Sequence, residues 1–439
     1  MQTTTATARR GQRTDAPSIG QTRLILATSI GNGLEIFDFT VYSFFAAMIG
    51  AQFFPSGNPI TSLLFSVGTF ALGFLMRPLG AIVLGGYADR VGRRAAMTMT
   101  IWLMALGTAM IGLCPPYATL GIAAPLLVVL GRLLQGFAAG GEVGASMSYL
   151  MESGATSSRG FRVSWQSTSQ AAAALAGAGF GMVLSRTLSP EALYDWGWRV
   201  PFLFGLLVAP VGVYIRRALH ERPLPAGDSG SKSSTSLPVV AVLRDEFRSV
   251  ALGALSIMGA TVSLYTMVYY MPSYLTRVMH MPAALGFLSA GVSAVVLLLV
   301  SPLSGLLADR LKRRKPFLLA TFGFAALLVM PVFHLLVNVR PDTAYVAIAA
   351  LAVSGAVMAI GGASLLLTLL EAFPPAMRAT GVGLSYAIAV TFFGGTAQFV
   401  VTWLIEQTGN PISAGWYVQA CCLISLVALW RFGARRKTE

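Results

Sequence analysis

The chain has 439 residues, 55% hydrophobic and 11% charged, well under the charged share of about 25% in an ordinary soluble domain. Mean hydropathy is +0.70, and the apolar residues run along nearly the whole length, which excludes a soluble enzyme held by a single anchor helix. A net charge of +14 in a soluble protein would raise the question of nucleic acid, but the positions of the basic residues give it another cause.

Residues 1–23 are rich in Thr, Ala, Arg and Gly and have no apolar core of a signal peptide; they read as a disordered cytoplasmic tail. A spanning helix needs about 20 largely apolar residues. Cutting at charged residues and at Pro/Gly/Asn clusters gives twelve spans, roughly 24–49, 60–87, 95–113, 121–150, 163–185, 199–215, 249–276, 281–308, 316–337, 343–370, 379–405 and 412–430. Between the sixth and seventh lies 218–248, with PLPAGDSGSKSSTSLP, whose composition is that of a flexible cytoplasmic linker. It divides one six-helix half (24–217) from another (249–431), and 432–439 forms a second cytoplasmic tail. The expected fold is an all-α membrane protein of twelve transmembrane helices in two pseudo-symmetric six-helix halves.

Lys and Arg give the orientation. With the first tail inside, the cytoplasmic segments hold 25 of the 31 basic residues. The outer segments hold four, Arg186, Arg199, Arg277 and Arg340, and Arg77 and Arg132 lie within spans. The positive-inside rule therefore places both termini in the cytoplasm and accounts for the charge without nucleic acid. Three cysteines (Cys114, Cys421, Cys422) and three scattered histidines (His220, His280, His334) form no disulfide framework or ligand cluster, so no metal or cofactor is expected.

An internal repeat supports the two halves. Span 2 ends GGYADRVGRR and span 8 ends GLLADRLKRR, so Gly85, Asp89, Arg90, Arg93 and Arg94 recur as Gly305, Asp309, Arg310, Arg313 and Arg314. Glu152 and Arg159 recur as Glu371 and Arg378. The Gly-x3-Asp-Arg-x-Gly-Arg-Arg loop resembles the signature of the major facilitator superfamily. An aspartate at a helix end can oppose the positive N-terminus of another helix, and arginines can clamp a carboxylate. The expected role is a cytoplasmic gate made of Gly85, Asp89, Arg90, Gly92, Arg93, Glu152, Arg159, Asp309, Arg310, Arg313, Glu371 and Arg378, against the plainer reading of a topology-setting basic loop. Lys312 stands where the first copy has Gly92, which predicts a weaker second latch.

Two arginines sit at depth. Arg132, in GRLLQGFAAGGE, and Arg77, twelve residues before Asp89, fall near the midplane. Each costs about 2.5–3.5 kcal/mol on insertion scales, so a compensating anion or cavity is required. Either they pair structurally with embedded acids or they bind a substrate carboxylate. The acids are Glu142 and, on one face of span 1, Glu35 and Asp38, which share that face with Asn32 and Tyr42. Neighbouring carboxylates in low dielectric resist joint ionisation, the property a proton carrier needs. Gln166 and Gln170 form an i, i+4 amide pair that fits either ligand or interhelical hydrogen bonds, and Tyr265 is deep enough to face a cavity. Gly136, Gly140 and Gly144 make a small-residue ladder for packing.

Over nearly its full length, through GNGLEIFDF, FLMRPLGAIVLGGYADRVGRR, GRLLQGFAAGGE, SWQSTSQ and DWGWRVPF, the chain resembles the metabolite:proton symporter family of that superfamily. The YLMESGATSSRGF and SWQSTSQ segments are most similar to its citrate and tricarballylate branch. The resemblance implies a proton-coupled importer of a small organic anion, chiefly a tricarboxylate, in the bacterial inner membrane, acting as a monomer among lipids. Permeases for α-ketoglutarate, shikimate, aromatic acids or proline/betaine are the alternatives, and a membrane-embedded enzyme is a distant one. The short ARRKTE tail lacks the coiled-coil extension of osmosensing betaine/proline members. By position the resemblance implies that Arg77, Arg132, Asn32, Gln166, Gln170 and Tyr265 contact substrate, while Glu35, Asp38 and Glu142 couple protons.

Overall fold

The computed structural model describes residues 19–91, 93–140, 150, 156–206, 210, 238–340, 343–374 and 377–432. Among them there is no strand. Helix α1 (Ile19–Phe44) bends by 63° at Phe45 into a continuation, Ala46–Phe53. Helix α2 runs as Pro59–Leu75 and Arg77–Val91, α3 as Arg93–Gly112, α4 from Ala123–Ala139 and α5 as Arg159–Thr187; α6 is described over 200–206. Helix α7 is Phe247–Leu264 followed by π turns at Tyr265–Tyr269 and Tyr274–Val278. Then come α8 (Ala283–Arg310), α9 (Arg314–Val337) and α10 (Ala344–Ala372). Helix α11 spans Arg378–Ala389, a π turn at Val390–Gly394 and Gly395–Thr408, and α12 is Ser413–Arg431.

Seven described helices, eight with the bent α1, are long and apolar enough to cross a membrane, and α3 and α4 hold shorter apolar stretches. Large apolar side chains point outward, Leu327 at 70% exposure and Leu299 at 62%; in water such a surface would aggregate. Trp416 and Trp430, near opposite ends of α12, are also exposed, as in the aromatic belts of membrane proteins. The chain is a multi-pass membrane protein.

Helix ends match the repeat. Helix α3 begins at Arg93 and α9 at Arg314, an offset of 221 (314 − 93), and α5 begins at Arg159 and α11 at Arg378, an offset of 219 (378 − 159). The deformations match too, since the bend at Phe45 and the π turn starting at Tyr265 are 220 apart (265 − 45). The break in α2 has a local cause. Pro78 has no amide to donate to the Phe74 carbonyl one turn back; that carbonyl instead accepts from Thr391 Oγ1 on α11, at 3.3 Å.

Glycine brings α2 and α4 together. A Cβ on Gly136 would lie 1.6 Å from the Gly73 carbonyl oxygen, and one on Gly140 2.0 Å from that of Arg77. The ladder read from the sequence is a packing device at both positions; Gly144 lies outside the described residues. This close approach fixes Arg77 and Arg132, one on each helix, beside α1.

Candidate functional site

Helix α1 supplies the centre of the site. Asp38, 8% exposed, accepts a hydrogen bond of 2.6 Å from the Thr108 hydroxyl of α3. Thr108 Oγ1 accepts from Gln135 Nε2 at 2.9 Å, and Gln135 Oε1 accepts from Arg132 Nη1 at 2.7 Å. Asp38 and Arg132 are thus connected through two neutral side chains. Thr108 Oγ1 is also 2.9 Å from the Met104 carbonyl, so its single proton has two acceptors to choose between.

Arg132 is fully buried, and its Nε and Nη2 have no hydrogen-bond partner. Its guanidinium lies over three rings, Tyr42 at 4.3 Å, Phe39 at 4.7 Å and Phe70 at 4.9 Å. Arg77 sits over Phe74 at 4.2 Å and over the same Phe39 ring at 4.7 Å. Its Nη2 is 3.9 Å from Glu35 Oε1, an ion pair too long for a hydrogen bond, and its Nε and Nη2 have no hydrogen-bond partner either. Desolvated cation–π contacts are worth about 2 kcal/mol. They compensate part of the burial of each charge and leave donor capacity for an anion.

The other expected ligand residues separate into two groups. Asn32 and Gln166 are bound to each other, with Gln166 Nε2 donating to Asn32 Oδ1 at 2.7 Å and Asn32 Nδ2 donating to Ser169 Oγ at 2.7 Å; they tie α1 to α5. Gln170 Nε2 reaches across to the hydroxyl of Tyr386 on α11 at 3.3 Å. Tyr265 packs edge-on against Phe74, with ring centroids 5.5 Å apart. Gly394 admits it closely, since a Cβ there would lie 3.2 Å from the Tyr265 ring. Gln170 and Tyr265 therefore stand where the first six helices meet the second six. Glu142 lies outside the described residues.

Two cavities flank these groups. One of about 440 Å³ is walled by α1, α3, α4, α5 and α6 with Leu298 of α8; Glu35, Asp38 and Thr108 line it, and neither arginine does. The other, of about 140 Å³, lies between α5 and α7–α10. Its polar lining is Gln170, Tyr269 and the hydroxyls of Ser164, Ser167, Ser263, Ser301, Ser304 and Ser354.

At the end bearing the charged loops, Asp309 closes the two halves on each other. Its Oδ1 accepts from the Gly160 amide at 2.6 Å and its Oδ2 from the Phe161 amide at 2.9 Å. It caps the N-terminus of α5, where the helix dipole is positive, the first of the two roles expected for such an aspartate; the hydrogen bonds described for it come from backbone amides and not from arginines. Gly160 and Gly305 permit the approach, each leaving a Cβ less than 3 Å from the other's carbonyl oxygen. Arg310 and Arg313 are exposed. Arg314, one residue on, makes the ion pair with Glu371 at 2.6 Å, and Arg378 Nε donates to the Leu370 carbonyl at 2.8 Å. Arg159 is half-buried at the start of α5. Gly92 and Glu152 lie outside the described residues, as do the side-chain surroundings of Gly85, Asp89, Arg90 and Arg93. At the opposite end, Thr61 Oγ1 of α2 donates to Glu406 of α11 at 2.6 Å, and nearer the centre Gln398 Nε2 donates to Ser43 Oγ at 2.5 Å.

Sequence reading missed Thr108, Gln135, Phe39 and Tyr386. Gln135 carried a signal, since it lies three residues after Arg132 and so on the same helical face. Thr108 and Tyr386 are single polar groups in apolar runs, with nothing in their spacing to distinguish them.

A Major Facilitator Superfamily model matches residues 28–397. A citrate-proton symporter of Klebsiella pneumoniae is 36% identical over 411 residues, 92% of this chain and 90% of that protein. The alpha-ketoglutarate permease of Escherichia coli (strain K12) is 35% identical over 412 residues, 92% of this chain and 91% of the permease. Among solved structures, a D-xylose-proton symporter superposes with a TM-score of 0.76 at 18% identity, covering 95% of this chain and 99% of that one; this likeness speaks for the fold alone.

Proposed function

From the premise that this chain belongs to the Major Facilitator Superfamily, we propose that it imports a small organic anion together with protons, a tricarboxylate such as citrate or tricarballylate first of all. One observation carries the reading. Arg77 and Arg132 are buried on neighbouring helices with Nε and Nη2 of each lacking a hydrogen-bond partner, and a buried guanidinium is the side chain best suited to grip a carboxylate. The similarity to citrate-proton symporters over more than nine-tenths of the chain supports it.

In this reading residues 24–217 and 249–431 rock about the site, and the linker 218–248 and both termini are cytoplasmic. Asp309 with the α5 N-terminus is the inner latch, joined by the motif of Gly85, Asp89, Arg90, Gly92 and Arg93 at the junction of α2 and α3 and by Glu371 and Arg378. Glu35, Asp38 and Glu142 carry the coupling proton, and Arg77, Arg132, Asn32, Gln166, Gln170 and Tyr265 contribute to the substrate site. The protein works as a monomer in the inner membrane, surrounded by lipid, as a carrier and not an enzyme.

Uptake of radiolabelled citrate into proteoliposomes tests this. It should require an inward proton gradient and stop on addition of an uncoupler; accumulation that survives the uncoupler overturns proton coupling. Competition with unlabelled α-ketoglutarate, shikimate and betaine separates the substrate classes, and displacement by α-ketoglutarate but not by tricarballylate would move the assignment to the dicarboxylate.

A further inference from the structure

The cavity of about 440 Å³ that touches Asp38 does not lie in the seam between the halves, where a substrate would pass. It is walled by five helices of the first half, with Leu298 of α8 the contribution from the second half among the described lining residues. On α1 the lining runs from Ser29 to Asp38 and on α3 from Thr100 to Thr108, lengths of roughly 12–14 Å at 1.5 Å per residue. The cavity is therefore elongated along the bundle. Its far end, at Thr100 and Trp165, is seven residues from the start of α3 and six from the start of α5, roughly 10 Å from the charged-loop end.

Its wall is mostly apolar, and the few polar groups on it are ones a small polar guest would satisfy. Ser29 Oγ and Trp165 Nε1 are buried without a hydrogen-bond partner, and an ordered water is one way such groups are satisfied in native proteins. The volume has room for on the order of ten waters, and water settles where it finds polar partners such as these. Thr100, Thr168 and Ser169 place further hydroxyls along its length. The ionisable groups around Asp38 are Glu35 on its own helix, Arg77 of α2 behind Glu35, and Arg132 of α4 behind Thr108 and Gln135. Helices α5 and α6 bring no ionisable side chain to the wall among the described residues.

We propose that this cavity is the inner stretch of a hydrated proton path private to the first half, along which the proton on Asp38 moves toward the charged-loop side while the organic anion travels between the halves. The inference rests on the symport reading above. When Asp38 is protonated, its carboxyl O–H bond breaks and the proton passes to a water in the cavity. The carboxylate left behind keeps the hydrogen bond from Thr108. No charged substrate need share this route, so the proton and the anion can be released independently.

Ala105 of α3 and Ala172 of α5 both line the cavity and belong to none of the polar contacts described. In the A105F/A172F double variant, gradient-driven citrate accumulation and citrate-induced proton uptake should fall about tenfold or more, as when a proton-transfer step is obstructed. Exchange of internal for external citrate, which needs no net proton release, should stay within about twofold. Plugging after folding is the companion experiment: an A172C variant reconstituted first and then treated with benzyl methanethiosulfonate, with the similarly treated wild type as control, should show the same split. Unchanged accumulation in the modified protein overturns the private path. So does a matching loss of exchange, which would make the cavity part of the substrate route. If wild-type accumulation itself ignores the proton gradient, the symport reading has failed, and that result is separable from failure of the path.

Discussion

Asp38 and Arg132 do not touch. They communicate through the Thr108 hydroxyl and the Gln135 amide, a chain of three hydrogen bonds of 2.6, 2.9 and 2.7 Å. A direct ion pair would hold both charges in one deep minimum. A relay through neutral groups allows the proton state of the acid to change what the arginine is offered without separating two bare charges in low dielectric. The Thr108 hydroxyl is the point of choice, because it can turn to Asp38 or to the Met104 carbonyl.

Gln135→Leu should uncouple the carrier. The change removes the partner of Arg132 Nη1 and leaves a further buried donor unsatisfied, at a cost of about 1–3 kcal/mol. A lower melting temperature alone would mean only a structural role. The relay predicts in addition that citrate exchange persists while gradient-driven accumulation is lost. Gln135→Glu, which sets a carboxylate beside Arg132, should restore stability but slow turnover by holding the guanidinium. Equal losses of exchange and accumulation in both variants would remove Gln135 from the coupling chain.

Arg132→Lys keeps the charge and discards the planar fork that rests on Phe39, Tyr42 and Phe70. Citrate uptake should drop by about tenfold or more, the worth of one lost charge-assisted hydrogen bond of about 1.5–3 kcal/mol. Titration of citrate binding by calorimetry checks it, and binding at wild-type affinity would show that the substrate anion does not need this guanidinium.

Asp38→Asn retains an oxygen to accept from Thr108 but holds no exchangeable carboxyl proton. Glu35→Gln removes the charge 3.9 Å from Arg77. If Asp38 is the carrier of the coupled proton, its variant should exchange citrate without a gradient and fail to accumulate it. The Glu35 variant tests the second acid of the coupling set in the same way, and accumulation at the wild-type level would leave Glu35 only as the partner of Arg77. Measuring both rates in the same proteoliposomes distinguishes them, and accumulation by the Asp38 variant would clear that residue.

Much of this architecture could be read from the chain because a bilayer imposes simple rules. Apart from α4 and α6, which lie partly outside the described residues, the helices follow the expected spans to within about five residues, and Asp309 caps a helix N-terminus as an aspartate at a helix end can. The bend at Phe45 and the π turn at Tyr265 left no mark in composition or spacing. The relay was half visible. Arg132 and Asp38 stand out as charges in apolar helices, but Thr108 and Gln135 acquire meaning only when α1, α3 and α4 are brought together. Phe39 was not singled out, and it is the ring that both guanidiniums share.

Asp309→Asn should favour opening of the charged-loop end. The carboxylate accepts from two amides in the first turn of α5, and loss of such a cap costs about 0.5–2 kcal/mol. These contacts exist only when α5 and α8 meet, so the cost falls on the closed conformer, and one or two kcal/mol shifts its population by about five- to thirtyfold. Spin labels on exposed residues near the ends of α5 and α8 would report a longer mean separation in the variant. An unchanged distance distribution would leave Asp309 as a surface cap with no gating role.

Gly136→Ala is the harshest of these changes despite adding one methyl. The new Cβ would sit 1.6 Å from the Gly73 carbonyl oxygen and 3.0 Å from the Gly73 Cα, both backbone atoms, so no side chain can swing away. Helices α2 and α4 would have to separate, carrying Arg77 and Arg132 off the shared Phe39 ring. Overpacking in a tight core costs about 1–3 kcal/mol or more, and here the strain falls on the two helices that hold the arginines. The control is Gly179→Ala on α5, where a Cβ meets nothing within 4 Å and reduced freedom of the unfolded chain should be neutral or stabilising by up to about 1 kcal/mol. Thermal unfolding in detergent, followed with and without citrate, should show a lowered midpoint and a lost citrate shift for Gly136→Ala alone. A normal citrate shift in that variant would show that the spacing of α2 and α4 does not set the geometry of the site.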